Sequence, residues 1–195
     1  MNTSCANSPI TTASFSLHPM CDHFIDIIKG ALQETDTSNV WMKTDDVTTT
    51  ARGKMVHVFD VTKAICGHAA SSNQHIAFQA TYSIGCPGSK DVEDMMVNDH
   101  TKANELPEDI QKTYAAAKFS LYPLGTGHYM DVIGKQIEEI KQFVTVRSAY
   151  TATKLEGQLG DIFQGLEKCF QATVDAGSEH TVMTVTLSIH SPSHQ

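Results

Sequence analysis

The sequence predicts an α+β protein made of two tandem ferredoxin-like βαββαβ repeats, each an antiparallel sheet with its helices on one face. Three observations lead there. The chain matches itself at a nearly constant offset. Each copy alternates apolar and polar residues with period two near its start and its end. Between those stretches, each copy carries apolar residues at helical spacing.

The self-match is ordered. Phe15-Ser16-Leu17-His18-Pro19-Met20 returns as Phe119-Ser120-Leu121-Tyr122-Pro123-Leu124, 104 positions on, and His23-Phe24-Ile25-Asp26-Ile27-Ile28 returns as His128-Tyr129-Met130-Asp131-Val132-Ile133, 105 positions on. Arg52-Gly53 matches Glu156-Gly157, Val58-Phe59 matches Ile162-Phe163, and His75 matches His180. Ser83-Ile84 and Pro87 match Ser188-Ile189 and Pro192. A single match arises by chance, but an ordered series at one offset marks a duplication. The expected units are 10–88 and 113–195, joined by a polar connection over 89–112 with a short helix after Pro107.

The elements follow in order. Thr12 to His18 alternates with Phe15 and Leu17 on one face, so it reads as a strand ended by Pro19. Asp22 is the expected N-cap of a helix carrying Phe24, Ile27, Ile28, Ala31 and Leu32. Val40–Asp45 and Thr48–Arg52 read as two strands around a turn at Asp45-Asp46. Val58, Val61 and Ile65 begin a second helix that fades at Ser71-Ser72-Asn73. Ile76, Phe78, Ala80, Tyr82 and Ile84 alternate in a last strand, stopped by Cys86-Pro87-Gly88. In the second copy, Ile162, Phe163, Leu166, Phe170 and Val174 form the helical stripe, and Met183, Val185, Leu187 and Ile189 the final strand.

Composition narrows the function classes. The chain has 195 residues, 41% of them apolar, enough for a buried core. A net charge of −8 argues against nucleic acid, which needs clustered Lys and Arg. Met1 to Thr12 lacks the apolar stretch of a secretory signal, and no apolar run is long enough to span a bilayer. Five cysteines without a CxxC pair fit a cytoplasmic chain with reduced thiols, most of them buried as small apolar residues. Ten histidines form no HExxH or zinc-spaced set, so no metal site is expected, and His75 and His180 read as structural. A Cys-His nucleophile pair stays open as an enzymatic alternative, with Cys86 or His75 as its members.

The face opposite the core is unusual. Gln79, Thr81 and Ser83, then Thr184, Thr186 and Ser188, carry hydroxyls and an amide where a solvated face would hold Lys and Glu. Ser16, His18, Ser120 and Tyr122 extend it. Either sheets pack face to face here, between units or between chains, or a pocket for a neutral hydrogen-bonding heterocycle opens. The two central hairpins are also hydroxyl-rich. They end in opposite charges, Arg52 and Glu156, so pockets that included them would differ in affinity.

At these residues the chain resembles the YkoF family of thiamin- and hydroxymethylpyrimidine-binding proteins. The resemblance rests on Phe15 to Met20, Thr35-Asp36-Thr37-Ser38, Val40-Trp41, Lys43-Thr44-Asp45, Arg52-Gly53, His57-Val58-Phe59-Asp60, Ser83 to Gly88 and Val182 to Ser188, followed by Ser191-Pro192-Ser193. It covers nearly the whole chain and is weakest over 89–112. It implies a homodimer, a small-molecule ligand in each unit, no catalytic step and no cofactor, and a role beside an uptake transporter. A ligand-sensing module acting on such a partner is the alternative. The candidate ligand-binding residues are Ser16, Leu17, His18, Thr44, Thr48, Thr49 and Arg52 in the first copy. In the second they are Ser120, Leu121, Tyr122, Ser148, Thr151 and Glu156. Leu17 and Leu121 would act through backbone or apolar contact, and Trp41, Tyr122 or Tyr129 could wall a flat ring. Thiamin's cationic thiazolium would be drawn to Glu156 rather than Arg52.

Overall fold

The computed structural model describes residues 9–86 and 99–194. Its first half runs β1 (Thr11–Pro19), α1 (Phe24–Glu34), β2 (Val40–Thr44), β3 (Thr49–Gly53), α2 (Met55–Ala70) and β4 (Ile76–Ile84). After a short α3 (Glu108–Gln111), the order recurs as β5 (Tyr114–Leu124), α4 (Tyr129–Ile140), β6 (Thr145–Ala149), β7 (Ala152–Gln158), α5 (Leu159–Asp175) and β8 (His180–Ile189). This is the tandem ferredoxin-like arrangement. The Pro87-Gly88 stop, Cys5 and the 89–98 stretch of the connection lie outside the described residues.

Local chemistry accounts for most boundaries. Burial alternates along β1 and β4, so one face of each strand meets the helices. Helix α1 starts later than Asp22. The His23 carbonyl accepts the N–H of Asp26 and Ile27, and His23 is the cap residue, without a side-chain cap bond. Pro107, free of an N–H, precedes α3 as its cap residue.

The two units join by their edges. One eight-stranded antiparallel sheet has the order β2-β3-β1-β4-β8-β5-β7-β6, with β4 on β8 from Ile76↔Ile189 to Ile84↔Thr181. Face-to-face packing of the two units, one of the sequence-based expectations, is thereby overturned. Pairing β4 with β8 satisfies two strand edges at once. It also puts the hydroxyl faces of both units on one side of a continuous sheet, opposite the helices. Two related hydrogen bonds staple the junction. His75 Nε2 meets Ser188 Oγ at 2.9 Å, and His180 Nε2 meets Ser83 Oγ at 3.1 Å. These contacts give both histidines a structural role.

The core crosses the junction too. Phe59 stacks on Tyr82 at 4.3 Å, and Phe170 of the second unit lies 5.9 Å from Phe59 and 6.4 Å from Tyr82. Each such ring contributes about 1.5–3 kcal/mol by leaving water. Tyr82 is fully buried, and its hydroxyl is satisfied by Thr62 Oγ1 at 2.9 Å. Burial pushes the Tyr82 phenol well above its ordinary range, so it stays neutral. Cys66 and Cys169 are buried as expected, whereas Cys21 is half-buried and Cys86 is exposed.

The described part of the connection is strapped over α2. Buried Asp60 accepts the N–H of Ala103 and Asn104 and the Asn104 amide through one carboxylate oxygen. Leu106 is buried against Gly67, where an added Cβ would stand 2.3 Å from Leu106 Cδ1. Gly85, just past β4, has φ +89°, and a Cβ there would stand 2.2 Å from the Glu179 carbonyl oxygen. Only glycine fits that turn.

Candidate ligand site

The site begins as a gap between strands. β1 pairs with β3 only from Thr11↔Gly53 to Phe15↔Thr49, but continues along β4 to Pro19. Past Phe15, one edge of β1 is therefore unpaired and faces the β2–β3 turn. A cavity of about 200 Å³ fills this gap under α1. Its walls are Phe15, Leu17, Ile28, Leu32, Val47 and Ile65. Its polar groups are Ser16, His18, Thr44, Asp45, Asp46, Thr48 and Thr49.

Six of the seven first-copy candidates thus come together: Ser16, Leu17, His18, Thr44, Thr48 and Thr49. The pleat explains how side chains from both faces meet. The cavity wraps the end of the sheet, so Leu17 reaches it from the helix side and Ser16 and His18 from the open side. Their hydrogen bonds are mutual. His18 Nε2 is 2.9 Å from Ser16 Oγ, and Thr44 Oγ1 is 2.9 Å from Thr49 Oγ1. Ser14 Oγ donates to Thr48 Oγ1 at 2.9 Å.

The turn at the mouth is held by Asp45. Its carboxylate accepts the N–H of Val47 at 2.8 Å and Thr48 at 2.9 Å. These bonds hold the Asp45 carboxyl below its ordinary range, Thr48 more than Val47, with a further contribution from Lys43. Asp45 and Asp46 were read only as a turn, and the hairpin geometry puts both at the rim. Ile28, Leu32 and Ile65 were legible as helical stripe residues, without a signal that they also border a cavity.

Arg52 stands apart from this cavity. It pairs across from Thr12 and Trp41, on the open face, and is 9% exposed. Glu156 lies on the corresponding face of β7 and is already matched. It binds Lys154 at 2.8 Å and Arg147 at 3.0 Å, and accepts the Tyr114 hydroxyl. The Lys154 bond, with help from Arg147 and Tyr114, keeps the Glu156 carboxyl below its ordinary range. Neither Arg52 nor Glu156 borders the cavity of its unit. Trp41 does not border it either.

The second unit repeats the gap. β5 pairs with β7 from Tyr114↔Gln158 to Phe119↔Thr153, then continues to Leu124 along β8. Ser120 Oγ reaches the Thr151 carbonyl at 3.4 Å across it. A cavity of about 410 Å³ opens toward the β5–α4 corner, lined by Leu121, Tyr122, Pro123, Leu124, Gly125, Thr126, Tyr129 and Ile133. Of the second-copy candidates it includes Leu121 and Tyr122, while Ser120, Ser148 and Thr151 lie beside the β6–β7 turn. The hydroxyl face itself holds a shallow hollow of about 240 Å³ with Ser14, Ser16, Thr48, Gln79, Thr81, Thr184 and Thr186.

Among the described residues, no group of three His, Cys, Asp or Glu side chains is placed to hold a metal ion, and no helix is long and apolar enough to cross a membrane. A thiol–imidazole contact does exist, with Cys86 Sγ 2.9 Å from His180 Nε2, at the β4–β8 end, where His180 pairs across from Leu124 of the second cavity.

The chain is 41% identical over 192 residues to a Bacillus subtilis (strain 168) protein named "Putative HMP/thiamine-binding protein YkoF", covering 98% of this chain and 96% of that one. Among solved structures, a domain of unknown function, DUF77, from Bacillus cereus aligns at 28% identity with a TM-score of 0.36, covering 38% of this chain and 74% of that one. The model of the YKOF-related family matches residues 10–89 and again 114–194, so the chain belongs to that family.

Proposed function

We propose that this chain is a binding protein for thiamin or its hydroxymethylpyrimidine moiety, working without a catalytic step or a resident cofactor. The observation that carries the reading is the first-unit cavity. Its volume of about 200 Å³ is below the roughly 300–1,000 Å³ of sites for drug-sized ligands, and suits a single ring with short substituents. Apolar walls on one side match a flat heterocycle. The hydroxyls of Ser16, Thr44 and Thr49 and the carboxylates of Asp45 and Asp46 match an exocyclic amine and ring nitrogens. The name of the Bacillus subtilis relative supports the same ligand class.

The chain works as a cytoplasmic homodimer in this reading, sheltering the precursor beside an uptake transporter. The hydroxyl-rich middle of the open face, with Gln79, Thr81 and Thr186 exposed, supplies the seam. A second reading, a ligand-sensing module that contacts another protein, is favoured by one observation. The exposed large apolar residues gather at two equivalent corners: Met20, Phe24, Ile25 and Val47, then Tyr122, Leu124, Tyr129, Met130 and Tyr150.

Calorimetric titration with thiamin and with hydroxymethylpyrimidine tests the ligand assignment. Thr49→Trp, which fills the first cavity, should abolish binding there while the protein stays folded. Absence of heat with both compounds on the unaltered protein rejects the assignment. Turnover of thiamin to any product rejects the non-catalytic reading.

A further inference from the structure

We infer that Cys86 is a modification site, a thiol that takes up a small disulfide by thiol–disulfide exchange with His180 as its base. This goes beyond the binding role proposed above and does not depend on it.

The site is a set of three side chains drawn from both units. Cys86 Sγ lies 2.9 Å from His180 Nε2, and Ser83 Oγ lies 3.1 Å from the same nitrogen and 3.4 Å from the sulfur. Cys86 is exposed, whereas Cys66 and Cys169 are buried and Cys21 is half-buried. It stands two positions past the end of β4, after the left-handed turn at Gly85, while Gln79 and Thr81 of the seam lie within the strand.

The duplication supplies a control. The matching staple joins His75 Nε2 to Ser188 Oγ at 2.9 Å. There the position equivalent to Cys86 is Ser191, whose hydroxyl meets Ser193 Oγ instead. One end of the junction is thus stapled without a thiol, so the hydrogen bond that ties the two strands does not call for Cys86.

The chemistry follows from the geometry. Thiolate, not thiol, attacks a disulfide. An imidazole is ordinarily neutral at a pH where a thiol still holds its proton, so an unprotonated Nε2 is placed to accept the proton of Sγ. The thiolate then faces two donors, the imidazolium N–H and the Ser83 hydroxyl. It attacks one sulfur of the small disulfide. A new S–S bond forms to Cys86 as the old one breaks, and the leaving thiolate takes the proton from His180. One thiol and one disulfide become another thiol and a mixed disulfide, so no further oxidant is needed and excess thiol reverses the step. Of the elements around the imidazole, β4 contributes Ser83 and β5 contributes Leu124, which pairs across from His180. The charged neighbour is Glu179, and its carboxylate is directed at the Gly125 corner.

The test incubates the full reduced chain with glutathione disulfide and maps the adduct by peptide mass spectrometry. At neutral pH, Cys86 should be modified several-fold faster in the folded chain than in the urea-unfolded chain, with Cys21 lagging behind it. His180→Gln, checked for folding by circular dichroism, should slow modification about tenfold at neutral pH and little at alkaline pH, where the thiol ionises without a base. Ser83→Ala should slow it less. Folded Cys86 reacting no faster than the unfolded chain, or a His180→Gln variant with the parent's rate and pH profile, would overturn the inference.

Discussion

The two units share one strand order and one gap beside the first strand, yet differ in what lies over their second helices. Helix α2 buries most of its residues, including the polar His57, Asp60 and Thr62. Its counterpart α5 buries about half of its length. The strap explains the contrast. It crosses α2, ties to Asp60 and inserts Leu106 at Gly67. Position 164, the equivalent of Asp60, is an exposed Gln. A duplicated pattern thus yields equivalent frames, and one connector makes them unequal.

The strongest way to break this comparison is Asp60→Ala. It leaves the N–H groups of Ala103 and Asn104 and the Asn104 amide without their charged acceptor, a loss of about 3 kcal/mol for hydrogen bonds to a buried carboxylate. Urea unfolding should record it, while Gln164→Ala at the matching exposed position should move stability by less than about 0.5 kcal/mol. Equal losses would mean that the strap is not the source of the asymmetry.

A somewhat smaller effect is expected at the turn after β4. Gly85→Ala introduces a side chain at φ +89° against the Glu179 carbonyl, costing about 2 kcal/mol. The second unit tolerates His190 in the matching turn, at φ 52°, with its imidazole 3.1 Å from the Ala70 carbonyl. The thermal midpoint of each alanine variant compares the two turns, and His190→Ala should be the milder.

The junction staples should be nearly equivalent. His75→Ala and His180→Ala each remove one histidine–serine hydrogen bond, worth about 1 kcal/mol. A large difference between them would show that the Cys86 contact of His180 adds something His75 lacks.

The subtlest contrast is in pH. The Asp45 carboxyl has a depressed pKa in the folded chain. Its contribution is therefore present above the ordinary aspartate pKa and lost as pH falls through the lower folded value. The protection of the Val47 and Thr48 amides, measured against the intrinsic exchange rate at each pH, should fall on acidification through that window. The turn at Ala149-Tyr150 should show no matching step, because no carboxylate caps it.

Much of this was legible beforehand. The ordered matches, Phe15 with Phe119 and His75 with His180, marked the duplication without any structure. Alternation along Ile76 to Ile84 set which residues face the helices, and six cavity-lining candidates came from the hydroxyl-rich strands. Arg52 and Glu156 lie outside the two cavities for a simple reason. Arg52 pairs opposite Thr12 and Glu156 opposite Ala116, in the paired stretch before each gap opens, and where pairing stops is not written in the strand's own pattern. Asp45 and Asp46 were hidden by a good local explanation, the turn, which left no residual signal for a rim.

The sequence by itself determined the repeated element order, the apolar faces and the turn positions, because periods of 2 and of 3.6 residues and turn chemistry are properties of short stretches. Only the tertiary structure decided that β4 meets β8 edge to edge, that the connector lies on α2, and that a gap opens where β1 outruns β3. Those outcomes depend on contacts between residues far apart in the chain, which no local period encodes.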